Sequence, residues 1–185
     1  MEFQNDKSQI KLLLSSEGLT KLLAKRLARS KAIGRTFLLY GEVGTGKTFF
    51  SRAFIQEILS GYGLSEDIPS PTYTLVQTYE TPKLDIWHVD LYRLISYQDT
   101  TELGLTDAFI NNICLIEWPE KLDKNIPLNA VHIKLSYFSE FERGCILTCN
   151  FSYIDDMVDV RVAVSYTHLR ARETRHDLVC RLLLE

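Results

Sequence analysis

Two periods of apolar spacing divide the chain. Residues 8–14, SQIKLLL, end in an apolar run and read as a first short strand. Ser16 then caps a helix predicted to reach Arg29. Leu19, Leu22, Leu23 and Leu27 fall on one face of it, and Lys21, Lys25 and Arg29 line another that reads as solvated. Thr36–Tyr40, TFLLY, is too short for a helix and nearly all apolar, the signature of a strand covered on both faces. A glycine-rich turn follows, then a helix from Lys47 to Ser60 with Phe50, Phe54 and Ile58 as its buried stripe and Gly61 as its stop. Residues 61–72 form a loop rich in Gly, Pro and Ser.

Period two then returns. Tyr73–Glu80 and Leu84–Asp90 read as strands joined by Thr81-Pro82-Lys83, a hairpin. Asp99 and Glu102 resemble a capping box that opens a short helix to Ile110. Ile113–Glu117 is another buried strand. Val131–Tyr137 and Cys145–Phe151 are two more, joined by a charged turn. Strands alternating with helices imply an α/β fold with a mixed, mainly parallel sheet.

Composition narrows the class. The 185 residues are 45% hydrophobic and 24% charged, enough for one domain with a core of its own. No apolar run approaches a membrane span, and the N-terminus has no signal pattern, so a cytoplasmic protein is expected. The formal charge of −3 is unevenly placed. Residues 1–160 hold 16 Lys+Arg against 21 Asp+Glu, whereas residues 161–185 hold five Arg against three acids. An acidic domain does not grip nucleic acid by a broad basic face, so any nucleic-acid role runs through a partner. Cys114, Cys145, Cys149 and Cys180 contain no CxxC pair and read as reduced structural thiols, with Cys145 and Cys149 on one strand face.

One segment changes the picture. Gly41-Glu42-Val43-Gly44-Thr45-Gly46-Lys47-Thr48 matches G-x-x-x-x-G-K-[ST] at every fixed position. Glycines let the backbone wrap phosphate oxygens without Cβ clashes, and the loop amides and helix N-terminus then face the anion. Lys47 supplies a point charge to the β- and γ-phosphates, and Thr48 a hydroxyl to Mg²⁺. A buried strand before the loop and an amphipathic helix after it complete the context of a P-loop NTPase-type three-layer fold. The site also needs an acid at a buried strand end. Glu117 ends ICLI and Asp90 ends IWHV, and either carboxylate suits Mg²⁺ or the attacking water. His88 shares a strand face with Asp90 and reads as structural. Arg93 is the nearest candidate for an arginine finger, with a salt bridge as its plainer role. No Asn-Lys-x-Asp motif reads guanine, which favours ATP.

These segments together resemble one family. The phosphate loop, Ser70-Pro71-Thr72-Tyr73-Thr74-Leu75-Val76, His88-Val89-Asp90-Leu91-Tyr92-Arg93-Leu94, Glu102-Leu103-Gly104-Leu105 and Cys114-Leu115-Ile116-Glu117-Trp118-Pro119-Glu120 look like the TsaE (YjeE) family, in the family's order. The resemblance implies an ATPase of bacterial tRNA threonylcarbamoyladenosine formation. It would act with the TsaB and TsaD proteins, which modify adenosine 37 of certain tRNAs, and meet tRNA only through them. It implies that Gly41, Glu42, Val43, Gly44, Thr45, Gly46, Lys47 and Thr48 bind nucleotide, and that Thr72 sits in a switch-type loop near the γ-phosphate. Asp90 and Glu117 become the site's acids, with Trp118 beside them. Thr48, Asp90 and Glu117 become the Mg²⁺ residues. A small ATP-dependent phosphotransferase and a nucleotide-gated scaffold are the rival readings.

The resemblance stops short of the end. All ten lysines precede residue 135, while six of eleven arginines follow residue 140. The segment from Val162 onward matches nothing in the family and resembles translated adapter or vector sequence. The domain division expected is therefore an ATPase domain over 1–160 and a non-native or disordered tail over 161–185. A stripe of Leu178, Val179, Leu182 and Leu183 keeps open a helix that docks on a partner.

Overall fold

A computed structural model gives the structure of the chain and describes residues 7–30, 36–94, 102–122 and 126–150. Its strands are β1 (Lys7–Leu14), β2 (Thr36–Tyr40), β3 (Val76–Tyr79), β4 (Ile86–Asp90), β5 (Ile113–Glu117), β6 (Val131–Tyr137) and β7 (Arg143–Asn150). Its helices are α1 (Glu17–Arg29), α2 (Lys47–Gly61) and α3 (Leu105–Asn111), with a 3-10 turn at Pro119–Leu122.

The seven strands form one sheet in the order β1-β7-β6-β2-β5-β4-β3. β2 pairs in parallel with β5 and β6, and β4 in parallel with β5. β3 is antiparallel to β4, and β7 to both β6 and β1. The sheet is thus mixed, with a parallel heart of β6, β2, β5 and β4 and antiparallel edges. Alternation along the strands splits the core in two. Phe37, Leu39, Leu115 and Ile86 join α1 and α2 in one cluster. Leu38, Cys114, Ile116 and Val89 face the other way, with Leu105 and Ala108 of α3. Three layers result, as the α/β reading requires.

Local chemistry explains the element ends. Ser16 takes extended backbone and its side chain accepts from Leu19 N–H, capping α1 as expected. Leu19, Leu23 and Leu27 are buried, while Lys25 and Arg29 do more than meet solvent. They reach Glu57 of α2 at 2.9 and 2.5 Å and tie the two helices together. α2 stops after Gly61 through Tyr62, whose N–H bonds back to Leu59 and Ser60; the glycine in the left-handed region is Gly63.

One sequence expectation is corrected. The strand expected from Tyr73 starts only at Val76, because residues 71–75 turn, with Leu75 N–H donating to Pro71 O and Leu75 at φ +65°. The helical stretch expected from Asp99 to Ile110 is seen only in part: residues 95–101 lie outside the described residues, Glu102 is helical, and after a turn at Gly104, φ +71°, α3 runs over Leu105–Asn111. Asp99, Phe151, Cys180, the Leu178–Leu183 stripe and the tail from 161 lie outside the described residues. Cys145 and Cys149 are buried on the same side of β7 as Leu147, and burial pushes the Cys145 thiol up to about 12, an inert core thiol.

Candidate functional site

Strand parity decides what reaches the site. Residues two apart share a sheet face, so Glu117 lies on the side of Leu115, and His88 and Asp90 on the side of Ile86. That is the face covered by α2. The paired register Asp90↔Glu117 sets both carboxylates side by side at the strand ends. The phosphate loop leaves the end of β2, the next strand over, and feeds the N-terminus of α2. Loop, helix start and both acids therefore meet at one edge of the parallel sheet, outside the strands' carboxyl ends, where open α/β sheets bind ligands.

A cleft of about 280 Å³ opens there, lined by Val43, Gly44, Gly46, Lys47, Thr48, Phe49, Thr72, Asp90, Tyr92, Glu117 and Trp118. The loop itself is held by its own chain. Thr45 Oγ1 donates to Glu42 O at 2.8 Å, and Lys47 Nζ donates to Gly41 O at 2.6 Å and Glu42 O at 2.9 Å. The Lys47 ammonium also lies 3.9 Å from the centre of the Trp118 ring. Burial pushes its pKa below the ordinary lysine value, against the opposing pull of Glu117, Asp90 and Glu120. Trp118 sits at φ +59° and tilts against Tyr92, ring centres 5.0 Å apart.

The two acids have different surroundings. Glu117 is almost fully buried and accepts from Thr48 Oγ1 at 2.8 Å, Ser51 Oγ at 3.3 Å and His88 Nε2 at 2.8 Å. His88 Nδ1 is a buried nitrogen with no hydrogen-bond partner among the described residues. Asp90 accepts from Thr72 Oγ1 at 2.6 Å and from Tyr92 N–H at 2.9 Å. Thr72 also lies 2.9 Å from Ser70 Oγ. The turn at 71–75 exists to make this contact: Asp90 N–H bonds to Leu75 O, which docks the turn onto the end of β4.

Every residue expected at the site is therefore in or beside the cleft. Arg93 is not a salt-bridge residue among the described residues; it donates to Tyr73 O and lies 5.5 Å over the Tyr73 ring.

The family model described as "Threonylcarbamoyl adenosine biosynthesis protein TsaE" matches residues 14–144, which contain the whole cleft. The chain belongs to the TsaE family. It is 40% identical over 136 residues to the tRNA threonylcarbamoyladenosine biosynthesis protein TsaE of Rickettsia bellii, covering 74% of this chain and 92% of that one. It is 30% identical to the protein of the same description from Bacillus subtilis, covering 70% and 78%. The crystal structure of Bacillus subtilis YdiB superposes with a TM-score of 0.63 at 23% identity, over 88% of this chain and 97% of that one, and shares the fold.

Within this TsaE-family chain, sequence reasoning missed two contributors. Ser51 follows Thr48 by three residues, so it shares the helix face that meets Glu117, and its place beside an apolar stripe was a usable signal. Tyr92 gave none, because its role depends on Trp118 adopting a left-handed backbone.

Proposed function

We propose that the chain is an ATP-hydrolysing component of tRNA N6-threonylcarbamoyladenosine formation that acts with TsaB and TsaD. The observation that carries it is the convergence of Lys47 and two hydrogen-bonded carboxylates, Glu117 with Thr48 and Asp90 with Thr72, on one cleft at the start of α2. The names of its relatives supply the pathway. tRNA is met through the partners, because the domain is acidic. A cytoplasmic location fits a tRNA pathway, and no helix among the described residues is long and apolar enough to cross a membrane.

The residues present suit magnesium bound jointly with phosphates. Among the described residues no cluster of three His, Cys, Asp or Glu could cage a metal. One hydroxyl and two carboxylates at a phosphate loop are instead the sparse oxygen set that Mg²⁺ uses when phosphates complete its shell. Thr48, Glu117 and Asp90 would hold it, and when bound it neutralises charge on the β- and γ-oxygens. The chain's residues do the remaining work. Loop amides and the α2 N-terminus bind phosphate. Lys47 brings its charge from a largely buried position against the Trp118 ring, where electrostatic attraction is stronger than in open water. Glu117, anchored by Thr48, takes the metal side. Asp90 retains a second lone pair on each oxygen, enough to orient the water that attacks the γ-phosphorus as the bond to the β–γ bridging oxygen breaks.

The activity is assigned to residues 1–160, with 161–185 outside it. Phosphate release from ATP, measured with and without TsaB, TsaD and tRNA, tests the reading. Mg²⁺-dependent turnover and more than one round of tRNA modification per complex are expected. Modification that proceeds equally well without this chain, or phosphate passed to a small acceptor instead of water, overturns it.

A further inference from the structure

The β6–β7 hairpin runs beside the phosphate loop. β6 pairs with β2 through Tyr40↔Lys134, so the strand that enters the loop and the strand that carries Leu135 and Tyr137 end together. The approach is close. A Cβ on Gly41 would collide with the Leu135 carbonyl oxygen. Gly41 must therefore be glycine for a reason separate from phosphate.

Two residues further along β6, Tyr137 Oη donates to Val43 O at 2.9 Å. A Cβ on Gly44 would lie 2.5 Å from that same hydroxyl. The tyrosine is itself fixed from the other side. Arg143, its partner across the hairpin, places its guanidinium 4.5 Å over the ring. The same guanidinium donates to Glu140 O and Glu142 O at 3.2 and 3.1 Å, which closes the turn.

The consequence follows from peptide geometry. A trans peptide is planar, and its C=O and N–H point in opposite directions. The Val43 carbonyl and the Gly44 N–H belong to one such unit. Holding the carbonyl on Tyr137 turns the Gly44 N–H away from the hairpin. Gly44, at φ +80°, has no Cβ to resist rotation of that unit, so the loop cannot set this orientation by itself. No acceptor among the described residues takes the Gly44 N–H, and Gly44 lines the same cleft as Lys47 and Thr48.

We propose that Tyr137 is a positioning residue for the nucleotide: its hydroxyl locks the Val43–Gly44 peptide so that the Gly44 N–H is offered to phosphate. The proposal rests on the phosphate-loop reading above. Tyr137 is 49% exposed, so water competes for the bond and its effect is modest.

Tyr137→Phe keeps the ring and its contact with Arg143 and removes only the hydroxyl. Titration of the full chain with MgADP is expected to show Kd raised about three- to tenfold. In turnover, KM for ATP should rise by a similar factor with kcat within about twofold, a split that a general loss of folded protein does not produce. Without nucleotide, the melting temperature should match the wild type, and amide exchange of the peptide spanning Val43 and Gly44 should quicken. Wild-type binding with an unchanged Tyr137→Phe Kd overturns the latch alone. A Tyr137→Phe chain whose lost affinity is matched by a lowered melting temperature overturns it in favour of a folding role. A wild-type chain that binds no MgADP overturns the phosphate-loop reading and the latch with it.

Discussion

The antiparallel β1–β7 flank buries Leu14, Cys145, Leu147 and Cys149, all apolar. The parallel heart, at the carboxyl ends of β2, β5 and β4, buries Lys47, Ser51, His88, Asp90 and Glu117, all polar. Buried polar groups cost stability unless hydrogen-bonded, and buried charges cost more. The heart answers with a bond for nearly every group, yet a well-packed apolar set of similar volume would hold the fold at least as well. The flank is there for stability. The heart keeps groups that stability alone does not select, which is the physical mark of a working site. Mutations should accordingly separate the two regions: those in the heart change chemistry, and those in the flank change stability.

The largest separation is expected at Lys47. Burial lowers its pKa, so the folded chain disfavours its charge. Lys47→Ala should abolish phosphate release and weaken MgADP binding by about 100-fold or more, while the melting temperature holds or rises. Isothermal titration and thermal denaturation on one preparation measure both. A Lys47→Ala chain that still hydrolyses ATP at the wild-type rate ends the assignment.

Glu117→Gln comes next. The amide keeps the shape and can still meet Ser51 and His88, but loses the charge. Turnover should fall about 100-fold, on the scale of removing one preorganised electrostatic group, with MgADP affinity within a few-fold. Equal losses in affinity and turnover would move Glu117 from the chemistry to simple binding.

Leu147→Ala probes the flank. Leu147 is fully buried between Cys145 and Cys149, and its truncation should cost about 2–5 kcal/mol in urea denaturation. MgADP affinity of the folded fraction should not change. A weakened affinity would show the two regions coupled, and the β6–β7 hairpin would be the first place to look.

Legibility in the sequence follows the same divide. The flank and the buried strands announce themselves by pattern. The sequence pattern places Thr36–Tyr40 and Ile113–Glu117 to the residue as short apolar runs, and Val131–Tyr137 as an apolar–polar alternation. The phosphate loop was legible because its chemistry is local, eight residues long. What escaped depends on contacts distant in sequence. Residues 73–75 read as strand because Tyr73, Thr74 and Val76 favour strands, yet the bond from the neighbouring Thr72 to Asp90, 18 residues away, holds this stretch in a turn. His88 read as structural and proves to hold a buried oxygen of Glu117 at 2.8 Å, a partner 29 residues on that only the β4–β5 register brings near. Tyr137 carried no local sign at all, since its hydroxyl meets a carbonyl 94 residues away.

The smallest expected effect sits where the two regions join. α1 follows the flank strand β1 and α2 follows the heart strand β2, and Glu57 of α2 bridges them by meeting Lys25 and Arg29. The hydrogen bond from Lys25, joined by Arg29, holds the Glu57 carboxyl below its ordinary value of 4.5. A carboxyl with a depressed folded pKa binds its proton more readily when unfolded. Its stabilisation is therefore complete above pH 4.5 and drains away as pH falls through the lower folded value. The partners are partly exposed, at 37% and 65%, so solvent screening limits the sum to about 0.5–1 kcal/mol. Glu57→Gln should lose that amount at pH 7 in urea denaturation, and the gap from wild type should narrow below pH 4.5 and shrink in high salt. A gap that stays constant from pH 7 into acid would mean that Glu57 joins the helices by packing, and that no charge links the flank to the heart.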